Sequence, residues 1–180
     1  IIPLIETLMG GPICFEELAV RHRSAEVQMR DTDWHRDRDY WRDHPLHLDY
    51  PQVIYYLTDV DESTHCFSIS PEPADGEIIN DKSAHLECGG ILNFYGKAGS
   101  AILFNAATVH GVTLRQTNKI RRTIQVYYGH PHRPSLSEVT LMPPYLWRDH
   151  PDPEIRRFYG KFNRFSKVML QSLGVADFGL

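Results

Sequence analysis

A succession of short β-rich segments constrains this chain more than any other feature. They read "AEVQMR", "PQVIYYLTDV", "HCFSIS", "GGILNFYG", "SAILFNA", "TVHGVTL" and "RRTIQVYYGH". Val, Ile, Tyr, Phe and Thr dominate them, and such side chains suit a pleated, half-buried surface. Gly, Pro, Asn and Asp clusters separate the segments. No helical periodicity lies between them, which argues against an alternating α/β sheet and predicts a β-sandwich or barrel.

The 180 residues suit a single domain, 1–180, with its own hydrophobic core. A net charge of −4 argues against general nucleic-acid binding, which favours basic chains. No apolar run approaches the ~18 residues of a membrane span. The three cysteines, Cys14, Cys66 and Cys88, are odd in number and form no CxxC, which predicts reduced thiols and a cytoplasmic setting. The pairs His65-Cys66 and His85-x-x-Cys88 lack a structural-zinc spacing. The beginning of the chain lacks a signal-peptide pattern and an initiator Met, so upstream residues are expected.

Helices are expected only at the ends. The segment up to about Arg23, broken by Gly10-Gly11-Pro12, reads as helix and loop. Residues 152–173 read as one amphipathic helix packed on the sheet. Asp152 is its cap, Pro153 its first turn and Gly174 its stop. Ile155, Phe158, Tyr159, Phe162, Phe165 and Met169 recur on its apolar stripe.

Chemistry concentrates in "DTDWHRDRDYWRDHPLHLDYPQ", residues 31–52. Residues two apart on an extended strand share a side. His35 and Asp37 can therefore aim an imidazole and a carboxylate at one point, and a distant histidine would complete a 2-His-1-carboxylate face suited to Fe(II). His110, after an apolar strand and before Gly111, is the candidate. His47 and Asp49 form a rival pair; His130 and His132 read as exposed loop or pocket rim. The mixed charges around Arg36 read as a solvated, ion-paired loop or a substrate-contacting lid. Eleven residues past His110 stands Arg121. Alternation places Arg121, Thr123, Gln125 and Tyr127 on one polar face, suited to a ligand-holding lumen, and Arg122, Ile124, Val126 and Tyr128 on the other, which reads as the packed side. A guanidinium on that face can grip a carboxylate through two charge-assisted hydrogen bonds.

The motifs "WHRD" (34–37), "YYLTDVDEST" (55–64) followed by "FSISPEP", and "KAGSAILFNAATVHG" (97–111) resemble the phytanoyl-CoA dioxygenase-like (PhyH) family of Fe(II)/2-oxoglutarate oxygenases. The resemblance covers most of residues 26–128. It implies a double-stranded β-helix of jelly-roll type, with iron on His35, Asp37 and His110. It also implies 2-oxoglutarate chelating the iron with its far carboxylate on Arg121, and O2 as oxidant. A small-molecule substrate would be hydroxylated with release of succinate and CO2. Related halogenases lack the carboxylate ligand, so Asp37 favours hydroxylation, with desaturation or ring closure as other outcomes. Two departures stand out. Val112 occupies the position where relatives often carry a Ser for the same carboxylate, leaving Thr113 or Thr123 as substitutes. "SISPEPADG" stands where a Pro-Gly-Ser-His-like turn is common. Gln28 and Tyr55, on segments flanking the expected pocket, are candidates for touching co-substrate or substrate, or for packing. Two other classes are a cupin-like jelly roll binding metal without oxidation and an inactive oxygenase relative serving as an interaction module. Cupins usually carry His-x-His and a Glu, which "WHRD" does not match.

Overall fold

The computed structural model describes residues 1–25, 33–72 and 78–179. Contacts divide them into two compact units. One comprises Ile1–Glu17, Trp41–Pro51 and Val126–Leu180; the other comprises Leu18–Tyr40 and Gln52–Gln125. Helix α1 (Ile2–Met9) is followed by strands β1 (Cys14–Arg23), β2 (Pro51–Tyr56) and β3 (Cys66–Ile69). Helix α2 (Lys82–Gly89) precedes β4 (Leu92–Phe94), β5 (Ala101–Asn105), β6 (His110–Thr113) and β7 (Arg121–Gly129). A π-helical turn (Tyr145–Asp149) and helices α3 (Pro153–Tyr159) and α4 (Arg164–Ser172) follow. A four-stranded sheet runs β1-β7-β2-β5 and a three-stranded sheet β4-β3-β6. The architecture is mainly β, as the segment pattern predicts. No described helix is long and apolar enough to cross a membrane.

The core of the second unit lies between its two sheets. Ile54 and Tyr56 of β2 and Phe104 of β5 meet Cys66, Phe67 and Ile69 of β3. Phe67 is central, 4% exposed, its ring centroid 4.7 Å from Phe104 and 6.0 Å from Phe94. Burying such a ring contributes about 1.5–3 kcal/mol. β3 pairs antiparallel with both neighbours, Phe67 opposite Phe94 and Val112, and Ile69 opposite His110. That register sets the first residue of β6 at the end of the three-stranded sheet.

Three sequence expectations change. The first segment is not only helix and loop: Cys14–Arg23 is the ten-residue strand β1. Glu16 hides it, since a carboxylate facing inward breaks apolar alternation. The Glu16 side chain is buried and accepts from Lys161 Nζ and, at 2.9 Å, from Leu136 N. Second, the expected helix at 152–173 is two helices. Asp152 and Pro153 open α3 as expected. The chain then breaks at Gly160, and Asn163 caps α4 by accepting from Ser166 N at 2.7 Å. The break changes the angular register, so Phe158 packs on Phe15 and Tyr128 while Phe165 is 56% exposed. Gly174, in the left-handed region at φ 66°, follows α4. Third, α2 was not anticipated; Asp81 caps it by accepting from Ala84 N at 2.8 Å. The segment "AEVQMR" lies, save for Ala25, outside the described residues.

Candidate metal centre

The turn after β5 delivers His110. Asn105 shapes it: its side-chain oxygen accepts from Ala107 N at 3.0 Å and its carbonyl from Thr108 N at 2.9 Å. This is the turn chemistry for which Asn is favoured. The "WHRD" segment pairs with the start of β6. His35 N donates to His110 O at 3.0 Å, and His110 N returns to His35 O at 2.9 Å. Asp37 N donates to Ala106 O at 3.0 Å. A backbone ladder therefore joins two segments far apart in sequence and directs their side chains to one point.

The donor atoms of His35, Asp37 and His110 lie within 4.8 Å of one another, the one such group among the described residues. His35 Nε2 is 3.3 Å from Asp37 Oδ1 and His110 Nε2 is 3.6 Å from Asp37 Oδ2. Two donors about 2.1 Å from one ion and at right angles stand about 3 Å apart, so small side-chain adjustments suffice. Each Nδ1 is committed elsewhere, His35 to the Asp33 carbonyl at 2.8 Å and His110 to the Thr108 carbonyl at 2.9 Å. A carbonyl only accepts, so each Nδ1 carries a hydrogen and each Nε2, that of His35 beside Asp37, is the atom left to bind a metal. His110 is buried against Phe67 and Phe104, with ring centroids at 5.8 and 5.0 Å.

Electrostatics separate the two imidazoles. The Asp37 hydrogen bond raises the His35 pKa, whereas burial lowers that of His110.

Arg121 lies on β7 in the same unit. It is 4% exposed, and its Nη1 is buried with no hydrogen-bond partner. Burial is the leading cause that lowers its pKa. Thr123, on the same face of β7, is fully buried with Oγ1 unpartnered. Gln52 is 1% exposed, gives Nε2 to Gln125 Oε1 at 3.3 Å and keeps Oε1 unpartnered. A desolvated cation costs several kcal/mol when left unpaired. An anion at Arg121 and Thr123 would relieve that cost. Arg122, on the face of β7 expected to be packed, is exposed instead.

Other candidates part from this group. Thr113 shares a 2.7 Å hydrogen bond with Ser68, whose hydroxyl also donates to Asn93 Oδ1 at 2.7 Å. Tyr55 is three residues from Gln52 on β2, hence on the opposite face from the Gln52–Gln125 pair. Gln28 lies outside the described residues. In the rival pair, His47 is exposed and Asp49 is held by Arg133 in a fork of 3.0 and 2.8 Å. His130 is not an exposed loop residue: it is buried with its ring 4.9 Å from Trp41. Cys66 accepts a 3.1 Å hydrogen bond from Arg115, and the His/Cys pairs form no metal group among the described residues. Gln52 escaped the sequence reading, although a lone polar residue in "PQVIYYL" was its signal.

A jelly roll with two imidazoles and a carboxylate converging at strand ends defines the class of 2-His-1-carboxylate proteins. The family model for phytanoyl-CoA dioxygenase (PhyH) matches residues 18–123. The chain belongs to that family of Fe(II)/2-oxoglutarate-dependent oxygenases. Solved structures share the fold. AviO1 from Streptomyces viridochromogenes Tue57 matches with a TM-score of 0.58 and 20% identity over 73% of this chain and 57% of that one. The epimerase SnoN, in complex with Fe3+, alpha ketoglutarate and nogalamycin RO, matches at 0.54 and 17% over 72% and 55%. EctD from S. alaskensis with bound Fe matches at 0.56 and 17% over 78% and 53%. The chain thus spans little more than half the length of each of these three. No curated protein matches it by sequence.

Proposed function

We propose that this protein is an Fe(II)/2-oxoglutarate-dependent dioxygenase that hydroxylates a small organic molecule, releasing succinate and CO2. The observation carrying the reading is the convergence of His35, Asp37 and His110, with donor atoms within 4.8 Å. His35 and His110 would give neutral Nε2 donors and Asp37 a carboxylate oxygen, leaving open positions for 2-oxoglutarate and O2. Bound iron and 2-oxoglutarate supply oxidative decarboxylation coupled to substrate oxidation.

The chain's residues supply orientation. The Asp33 and Thr108 carbonyls fix which ring nitrogen faces the metal. Phe67 and Phe104 shield the buried imidazole from water. Arg121 would take the far carboxylate of 2-oxoglutarate. Thr123, unpartnered on the same face, would supply the hydroxyl that Val112 cannot. Thr113 is already engaged with Ser68. Asp37 favours hydroxylation over halogenation, because as a metal ligand it would take the position that a halide needs.

The test is succinate formation by purified protein given Fe(II), 2-oxoglutarate and O2. Slow turnover without added substrate is expected, abolished in His35→Ala and Asp37→Ala. Undiminished turnover in Asp37→Ala overturns the ligand assignment.

A further inference from the structure

An arm that turns His35 and Asp37 one way turns Arg36 the other. The Arg36 guanidinium is not in water: its side chain is 15% exposed and that of its partner Glu72 12%. The two meet as a fork. Nη1 donates to Glu72 Oε2 at 3.1 Å and Nη2 donates to Glu72 Oε1. Nη1 also reaches the Tyr40 hydroxyl at 3.2 Å, and Nη2 reaches the Ile79 carbonyl at 3.3 Å. Glu72 accepts from the Tyr40 hydroxyl as well. His85 of α2, 1% exposed, places Nδ1 3.2 Å from Glu72 Oε1 and Nε2 3.0 Å from the Ser70 carbonyl. α2 packs closely here: a Cβ at Gly89 would stand 2.3 Å from the Pro71 carbonyl oxygen.

One further bond gives this network a consequence. Arg36 Nη1 donates to the Ala107 carbonyl at 2.6 Å. Ala107 sits between Ala106, which accepts from Asp37 N, and Thr108, whose carbonyl orients His110 Nδ1. One side chain therefore ties the arm bearing two donors to the turn that aims the third. We infer that Arg36 and Glu72 are positioning residues, a buried clamp that holds the three donors converged before metal arrives. The inference rests on the metal reading of His35, Asp37 and His110. Lysine would not replace Arg36, because an ammonium lacks the planar fork that engages Glu72 and Ala107 together.

The test is Co(II) binding to the metal-free full chain, followed by calorimetry and the visible d–d spectrum. The proteins are wild type, Arg36→Lys, Arg36→Met, Glu72→Gln and His35→Ala, with melting curves ensuring that each is folded at the titration temperature. Outer partners of metal ligands are worth about 10–100-fold in affinity. Arg36→Lys and Glu72→Gln are expected to weaken Co(II) by at least about tenfold and to shift the bands. A merely structural ion pair would lower the melting temperature and leave both affinity and spectrum as in wild type; that result overturns the inference. Should Arg36→Met fail to fold, Arg36→Lys and Glu72→Gln decide by the same criteria. Wild type that fails to bind Co(II), or His35→Ala that binds as wild type does, overturns the metal reading and this inference with it. Tight wild-type binding with unaffected clamp variants overturns the clamp alone.

Discussion

Replacing Arg121 by Met should move two measurements in opposite directions. Arg121 is 4% exposed and its Nη1 has no hydrogen-bond partner, so folding strips the guanidinium of nearly all its water, and no carboxylate among the described residues forms an ion pair with it. Arg23 adds a like charge, and the nearby Tyr56 phenol, pushed up to about 12 by burial, stays neutral and offers no countercharge. Apolar replacement of buried charges is often stabilising by about 1–4 kcal/mol. For a chain of this size that raises the melting temperature by roughly 2–4 °C per kcal/mol. Co-substrate binding should suffer instead. Losing one partner of a buried charge pair costs about 2–5 kcal/mol, or roughly 30- to several-thousand-fold in affinity. Wild type at 100 times its Kd for 2-oxoglutarate gains about 2.7 kcal/mol, which the variant should not gain. Scanning calorimetry of the metal-free protein, and titration of 2-oxoglutarate into the protein loaded with a redox-silent divalent metal, give the two readings. A less stable Arg121→Met protein with unchanged 2-oxoglutarate affinity would refute the argument and make Arg121 a structural residue.

Four further outcomes follow from the structure. Thr123→Val should raise the KM for 2-oxoglutarate by roughly 10- to 150-fold, one hydrogen bond to a charged group being worth about 1.5–3 kcal/mol. Thr113→Val should leave KM alone and cost about 1 kcal/mol of stability through the lost Ser68 bond, measured by urea unfolding. In the metal-free protein, His35 has a pKa raised above 6.5 and His110 one lowered below it. The stability from His35 is complete below the unfolded value and is lost as pH rises through the higher folded value; that from His110 is lost as pH falls. His35→Asn should therefore make stability fall more steeply on acidification between pH 8 and 5, and His110→Asn less steeply, read from melting temperatures across that range. Lys161→Met leaves the buried Glu16 carboxylate without its ammonium, though Leu136 N still donates to it. It should cost about 3–5 kcal/mol by chemical denaturation, with Co(II) affinity unchanged.

The parts of the fold legible in the sequence were those in which a residue's type and its face coincide. β2, β3, β5 and β7 are segments where β-branched and aromatic residues sit between turn formers, and all four are strands. The face assignment on β7 is equally local: alternation sets Arg121 and Thr123 on one face and Arg122 on the other, although the face read as packed is exposed at Arg122. β1 was illegible because Glu16 reads as a surface residue until Lys161 is seen against it. The break between α3 and α4 was written in Gly160 and Asn163, but an apolar stripe running through both outweighed them. Arg36 and Glu72 were illegible for another reason. Each looks like a solvated charge, and only the fold brings the carboxylate to the guanidinium.

The sequence by itself determined the chemical alphabet: a mainly β chain, a His-x-Asp pair able to share one side, a distant histidine after an apolar strand, and an inward arginine. These follow from backbone geometry over a few residues, where side-chain direction repeats every second position. Only the tertiary structure decided which groups meet. The backbone bonds between His35 and His110, the hydrogen bond between Thr113 and Ser68, and the ion pair between Arg36 and Glu72 all join residues far apart along the chain. No local pattern encodes such meetings, because strand pairing and burial of the core set them, and a carboxylate reads the same in sequence whether it lies in water or against a cation.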